Sequence, residues 1–316
     1  MLSHFDMLDV PQWVFESIVQ PVMLWLDMGS YAEDGYVAAT WLVWGCVQIA
    51  LIAVVLVPLQ RLRPVEPVID RATIRVDMIY TAIHRLGLFR LAMFLSLQPL
   101  LDAAFGLFRS GSLDFTSPST FHLDQIWPDF TDNAMASLII YVVVFDFVDY
   151  WIHRAQHAWR PWWALHSLHH AQRQMTCWSD NRNHLLDDVI RDLVLACVAF
   201  VVGVSPSQFV LIVTLTQLSE SLQHANVRLS FGSIGERFWV SPRFHRLHHS
   251  MSHGFGHNFG VLLPWWDIAF GTANFENRYD ATGVDDQATT DYGRGFWGQQ
   301  WQGLVRARAA VVKAFH

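Results

Sequence analysis

The sequence predicts an all-α, integral-membrane bundle of about four membrane helices, the last two forming a hairpin, under a cytoplasmic histidine-rich helical cap. Three observations point there. Of the 316 residues 52% are apolar and only 16% charged, where soluble chains carry about a quarter charged. The apolar residues gather in uncharged runs long enough to cross a bilayer. Fifteen tryptophans and sixteen histidines accompany them. Tryptophan favours membrane–water interfaces, and a buried imidazole without a partner is costly, so the histidines are expected to bind something.

Composition also excludes. The net charge is −7 and the arginines are spread along the chain, so nucleic acid is not an expected partner. Cys46, Cys177 and Cys197 are too far apart for a CxxC pair and odd in number, and read as small buried hydrophobes. No cleavable signal is expected, because the first residues lack a basic stretch followed by an apolar one.

The elements follow in order. Residues 1–36 are expected to form an interfacial N-terminal segment, with an amphipathic, Trp-anchored helix over 11–28. Residues 37–152 hold the membrane helices. The first, 37–60, has no charge and opens on Trp41 and Trp44. The second, 86–108, is interrupted by Arg90 and Asp102, and Pro99 is placed to kink it. The third, 133–151, carries Asp146 and Asp149 in its last turns. A histidine-rich catalytic region spans 153–276 and includes a membrane hairpin at 189–219. Its apolar run, 193–219, is broken by Gly203-Val204-Ser205-Pro206, which is turn chemistry. Two legs of about 21 Å each would therefore dip in and return. Residues 277–316 are expected to be a peripheral tail ending in an amphipathic helix. Arg61, Arg63, Arg71, Arg75 and Arg85 between the first two spans place that loop, and with it the cap, in the cytoplasm.

Most histidines fall in spaced groups. His153 and His157 stand at i and i+4, so one helix face presents both to one point. His166, His169 and His170 form one HxxHH, and His245, His248 and His249 another. The adjacent histidine in each points about 100° away, so each group can serve two metals or bridge neighbouring faces. His184 and His224 bracket the hairpin at the same predicted membrane face. Imidazole suits iron, zinc, copper and nickel alike, so the donor set does not choose the metal. A haem protein would need histidines on facing spans, and a metal transporter a polar path through them. Neither pattern is evident.

The blocks DFVDYWIHRAQH, LHSLHH, NRNHLLDD, SPRFHRLHHS and NFGVLLPWWDIAFGT occur in this order between Phe145 and Thr272. They resemble the fatty acid hydroxylase / sterol desaturase superfamily of integral-membrane di-iron enzymes. The resemblance implies that His153, His157, His166, His169, His170, His184, His224, His245, His248 and His249 bind two iron ions, with zinc or another metal able to take the site in a purified sample. It implies O2-dependent hydroxylation, or desaturation, of a membrane lipid: a fatty acyl chain or head group, with a sterol methyl group as runner-up. Asn258 takes the family's N-[YF]-G position, whereas His257 stands where relatives more often carry a carboxylate, and His253 has no counterpart. Asp146 or Asp149 is expected to hydrogen-bond a ligand imidazole, with Asp187 and Asp188 as a weaker version of the same case. With no nucleotide loop and no cysteine set for an iron–sulfur cluster, electrons are expected from a separate ferredoxin or reductase. The arginine-rich, lysine-poor usage, with no retention tail or fused haem domain, suggests a bacterial inner-membrane protein.

Overall fold

The computed structural model describes residues 10–96, 126–252 and 256–314. Within them the chain is helical and no strand forms. The first helix, α1, runs from Val10–Val14 through a π-helical turn, Phe15–Val19, into Gln20–Trp25. It packs on α2 (Gly29–Leu62) through Val14, Phe15 and Ala39. Then come α3 (Arg71–Arg85), α4 (Leu88–Ser96), α5 (Ala134–Ala158), α6 (Arg160–His170), α7 (Leu185–Val202), α8 (Pro206–Gln223), α9 (Pro242–His248), α10 (Trp265–Ala269) and α11 (Gly295–Ala314).

Among the described helices, α2 and α5 are long and apolar enough to cross a membrane, and the pair α3–α4, bent by 55°, makes a third if it is one span. Leu51, Val54 and Val55 on α2 are left bare of protein, as lipid-facing residues are. The expected first span lies inside α2. Of the expected second span, Leu88–Ser96 is helical and the part from 97 to 108 lies outside the described residues. The third continues past 151 to Ala158, which places His153 and His157 on the same uninterrupted helix.

Local chemistry sets the boundaries. The Asn133 side chain accepts from the amides of Met135 (3.0 Å) and Ala136 (3.1 Å) and so caps α5. The break between α7 and α8 falls where the turn residues predict it. Gly203 ends α7 in the left-handed region at φ 78°, and Ser205 caps α8 with Pro206 in its first turn. Each leg has 18 residues, more than the sequence suggested, because the charged first turn of α7 is helical as well. Ser241 caps α9 in the same manner, its Oγ accepting from Phe244 N at 3.1 Å.

One apolar core joins α5, α7 and α8 through Tyr141, Phe145, Ile152, Leu195 and Ile212. Above it two buried ionic networks fix the segment between α6 and α7. Arg85 bonds Asp180, Gln48 and Ser221, and Arg182 bonds Asp77 at 2.6 Å. Breaking one partner of such a pair strands a buried charge, at a cost of about 3–5 kcal/mol. Of the cysteines, Cys177 is buried in a core cluster as expected, while Cys46 and Cys197 sit on exposed faces. All three are free thiols.

Candidate metal centre

The end of α5, all of α6, the end of α8 and α9 bring nine of the ten predicted imidazoles together. One group is His153, His157, His166 and His170, and a second is His169, His224, His245 and His249. A third, His170, His248 and His249, joins them. In each group the candidate donor atoms lie within 4.8 Å of one another. A metal–nitrogen bond of about 2.1 Å sets neighbouring donors about 3 Å apart, so this spacing suits a metal ion. The neighbours His169 and His170 divide between the two main groups, as adjacent positions on a helix must.

Hydrogen bonds outside the groups fix which nitrogen of several rings faces inward. His153 Nδ1 donates to the Phe259 carbonyl (2.8 Å), His248 Nδ1 to that of His257 (2.7 Å) and His224 Nδ1 to that of Glu220 (2.8 Å). His166 Nδ1 meets a carboxylate oxygen of Asp187 at 3.0 Å. In each ring the Nε2 lone pair is thereby free to point inward. The Nε2 atoms of His166 and His248 are buried without a hydrogen-bond partner. In the second group, His224 Nε2 lies 3.1 Å from both His169 Nε2 and His245 Nε2. His245 Nε2 in turn lies 3.2 Å from His249 Nε2. One lone pair cannot be satisfied by several others, and each orphaned buried polar atom costs about 1–3 kcal/mol. Cations resolve both defects, so the residues fit metal ions.

Electrostatics agree. Burial, and behind it the neighbouring rings, holds His169, His170, His245, His248 and His249 well below the ordinary imidazole value. They are neutral at pH 7, the state in which imidazole binds metal.

Three expectations are corrected, at His184, Asp146 and Asp149. His184 stays outside the groups: its Nδ1 accepts from Leu186 N at 3.1 Å, capping α7, and its Nε2 donates to the Gln300 carbonyl at 2.8 Å. Both nitrogens are used, so the ring is a structural clasp. Asp146 touches no imidazole; its oxygens take Leu262 N (2.6 Å), Leu263 N (3.1 Å) and Trp266 Nε1 (2.9 Å). Asp149 is bidentate with Arg191, at 2.8 and 3.1 Å. Both carboxylates are turned to these other partners and so reach no ring. Asn258 lies beneath the site, at φ 58°, and bonds the carbonyls of Phe244 and Asn274, both at 2.9 Å. It shapes the loop that presents the Phe259 carbonyl and makes no ring contact of its own.

The carboxylate that does orient a ring is Asp187, which also accepts from Gln156 Nε2 (2.7 Å) and Trp162 Nε1 (2.6 Å). Gln156 and Trp162 were not legible as site residues, although Gln156 lies within the HRAQH block. Trp163 packs 4.9 Å from the His157 ring and 5.3 Å from that of His170, walling the first group. Of the other tryptophans around the histidines, Trp151 and Trp159 are exposed and Trp178 is buried in a separate core cluster. His257 donates to the Leu247 carbonyl at 3.0 Å and braces the loop, while His253 lies outside the described residues.

Beneath the histidines a cavity of about 860 Å³ lies between α1, α2, α4, α5, α7 and α8. Its wall is mostly apolar, with Leu42, Met93, Phe145, Leu195 and Ile212. Asp149, Arg191, Asp192 and Glu220 also line it.

A polyhistidine site able to hold metal ions thus stands above a mostly apolar chamber. Residues 138–272 match the fatty acid hydroxylase family, and across that segment the chain is similar to its members. It is 27% identical over 190 residues to an ornithine lipid hydroxylase of Rhizobium tropici, covering 60% of this chain and 56% of that one. It is equally identical over 161 residues to a sphingolipid C4-hydroxylase of Schizosaccharomyces pombe, covering 49% and 55%. A Δ7-sterol 5(6)-desaturase of Gibberella zeae is 27% identical over 136 residues, covering 43% and 41%. The chain spans about half the length of the curated relatives it matches. No solved structure matches it.

Proposed function

We propose that this protein is an O2-dependent di-iron monooxygenase that hydroxylates a C–H bond of a membrane lipid, drawing electrons from a separate ferredoxin or reductase. The observation that carries the reading is the convergence of nine imidazoles, eight of them buried and His157 half-buried, in two linked groups. The domain match and the hydroxylase names of its relatives support it. His153, His157, His166 and His170 would hold one ion, His169, His224, His245 and His249 the other, with His248 beside both. Two irons held there would supply the redox chemistry for O2-dependent attack on an unactivated C–H bond. The balance is one lipid C–H, one O2, two electrons and two protons in, and one C–OH and one water out.

The protein's own part is to hold, orient and exclude. Phe259, His257 and Glu220 carbonyls and the Asp187 carboxylate lock the rings, so that little reorganisation is needed when a metal binds. Burial of the histidines keeps bulk water from the site. The chamber below receives the lipid from the bilayer. The arginine-rich loop after α2 is the basis for placing the metal site at the cytoplasmic face, in a bacterial inner membrane.

The test is expression in a host of defined lipid composition, with mass spectrometry for a lipid that gains one oxygen atom and metal analysis of the purified protein. The product should disappear in His169→Ala. A product that persists in that variant, or a Soret band in the purified protein, would remove the reading.

A further inference from the structure

The charged part of the chamber wall bears on which portion of a lipid is oxidised. Asp149 precedes His153 by one helical turn on α5, and Glu220 precedes His224 by one turn at the end of α8. Arg191 follows Asp187, the His166 anchor, by one turn on α7. Three helices thus bring a charged residue to the same level, one turn below the histidines, and all three line the chamber. Glu220 belongs to both levels: its carbonyl accepts from His224 Nδ1, and its side chain lines the chamber.

A hydrocarbon tail pushed through such a layer strips water and partners from the charges and returns nothing, which is costly. A lipid that stops with its polar end in the layer keeps its tails in the apolar chamber and sets the carbons beside its head nearest the metals. The sign of the layer narrows the head group. Asp149 is neutralised by its bidentate pair with Arg191, whereas Glu220 meets that guanidinium only at 3.9 Å. Asp192 adds a further carboxylate, and the other arginine on this wall, Arg90, stacks 3.9 Å above the Trp41 ring. Carboxylate is in excess, and it calls for a donor.

We propose that Glu220, positioned by the Asp149–Arg191 pair, binds an N–H-bearing amine in the lipid head group, so that oxidation falls on a carbon near the head and not in the distal tail. This rests on the oxygenase reading above. The test uses the full chain, iron-loaded and supplied with O2 and a reduced ferredoxin or chemical reductant, in bilayers of phosphatidylethanolamine, phosphatidylcholine or phosphatidylglycerol with identical acyl chains. Two readouts are taken: the position of the added oxygen by fragmentation, and the lipid retained by the metal-free protein in native mass spectrometry. The expected result is selective retention of the ethanolamine lipid and oxygen placed within or next to its head group. Glu220→Gln keeps the backbone bond to His224; its iron content should hold while retention of the ethanolamine lipid falls about tenfold. Equal retention of the three lipids, retention unchanged in Glu220→Gln, or oxygen in the distal tail would each overturn the proposal. Selective retention without oxygen in any lipid would uphold head-group binding and remove the oxygenase reading instead.

Discussion

The two histidine groups are built in opposite ways. The first draws all its rings from α5 and α6, consecutive helices joined at Trp159. Its His166 is anchored by a carboxylate that also takes two neutral donors. The second assembles rings from α6, from the end of α8 and from α9, elements far apart in sequence, and its one ring with a hydrogen bond to a backbone carbonyl is His224. The first group is therefore a local structure with an ionic brace, and the second exists only once the tertiary fold has closed. Metal should be held more firmly in the first and be more easily lost from the second.

The sharpest break is at the join. His170 belongs to both the first group and the connecting one. His170→Ala should remove metal from both sites, with activity down at least about 100-fold and iron well under half of the wild-type amount. Full iron content in that variant would show the groups to be independent. Next, Asp187→Asn removes the charge behind His166 and should weaken the first site by about 10–100-fold while the second keeps its ion. Equal loss from both sites would contradict the asymmetry. Acidification should act more widely. The buried rings titrate below the unfolded value of about 6.5, so below that pH the unfolded chain binds more protons than the folded one. Stability is full above pH 6.5 and falls as pH drops, by up to about 1.4 kcal/mol per pH unit for each ring. A melting temperature of the metal-free protein that stays flat from about pH 7.5 to 5.5 would count against it. The smallest effect on metal is expected from Asp149→Asn. With Asp149 paired to Arg191 and away from the rings, iron content should hold within about twofold although stability falls; a variant that purifies without iron would return Asp149 to the metal site.

The same contrast explains what could be read in advance. Histidine spacing at i, i+3 and i+4 marks a helix face directly, so eight of the nine rings that converge could be grouped from the sequence; His224 followed from the hairpin, and the Gly203 break from turn residues. Anchors were not. Which carboxylate reaches which ring depends on helix rotation and crossing: Asp146 and Asp149 lie near His153 in sequence but turn toward Trp266 and Arg191. Asp187, on another helix, reaches His166 instead. His184 shows the converse. It shares its segment with Asp187, yet its ring is held by a helix that starts more than a hundred residues later in the chain.

That helix, α11, packs along α6 and against α3. Arg306 Nε donates to the Ala164 carbonyl at 3.3 Å, and the Gln300 side chain bonds both Tyr80 and Leu185 N. At Gly303 the approach is so close that an added Cβ would stand 2.2 Å from the His184 ring. In time, as opposed to space, this orders the making of the protein. The ribosome delivers α5, α6 and most of the imidazoles early, but α6 lacks its clamp until Gly295–Ala314 has been synthesised. The histidine groups therefore reach their clamped arrangement only after residues 295–314 have emerged, and until then the nascent protein carries its imidazoles on an unclamped helix.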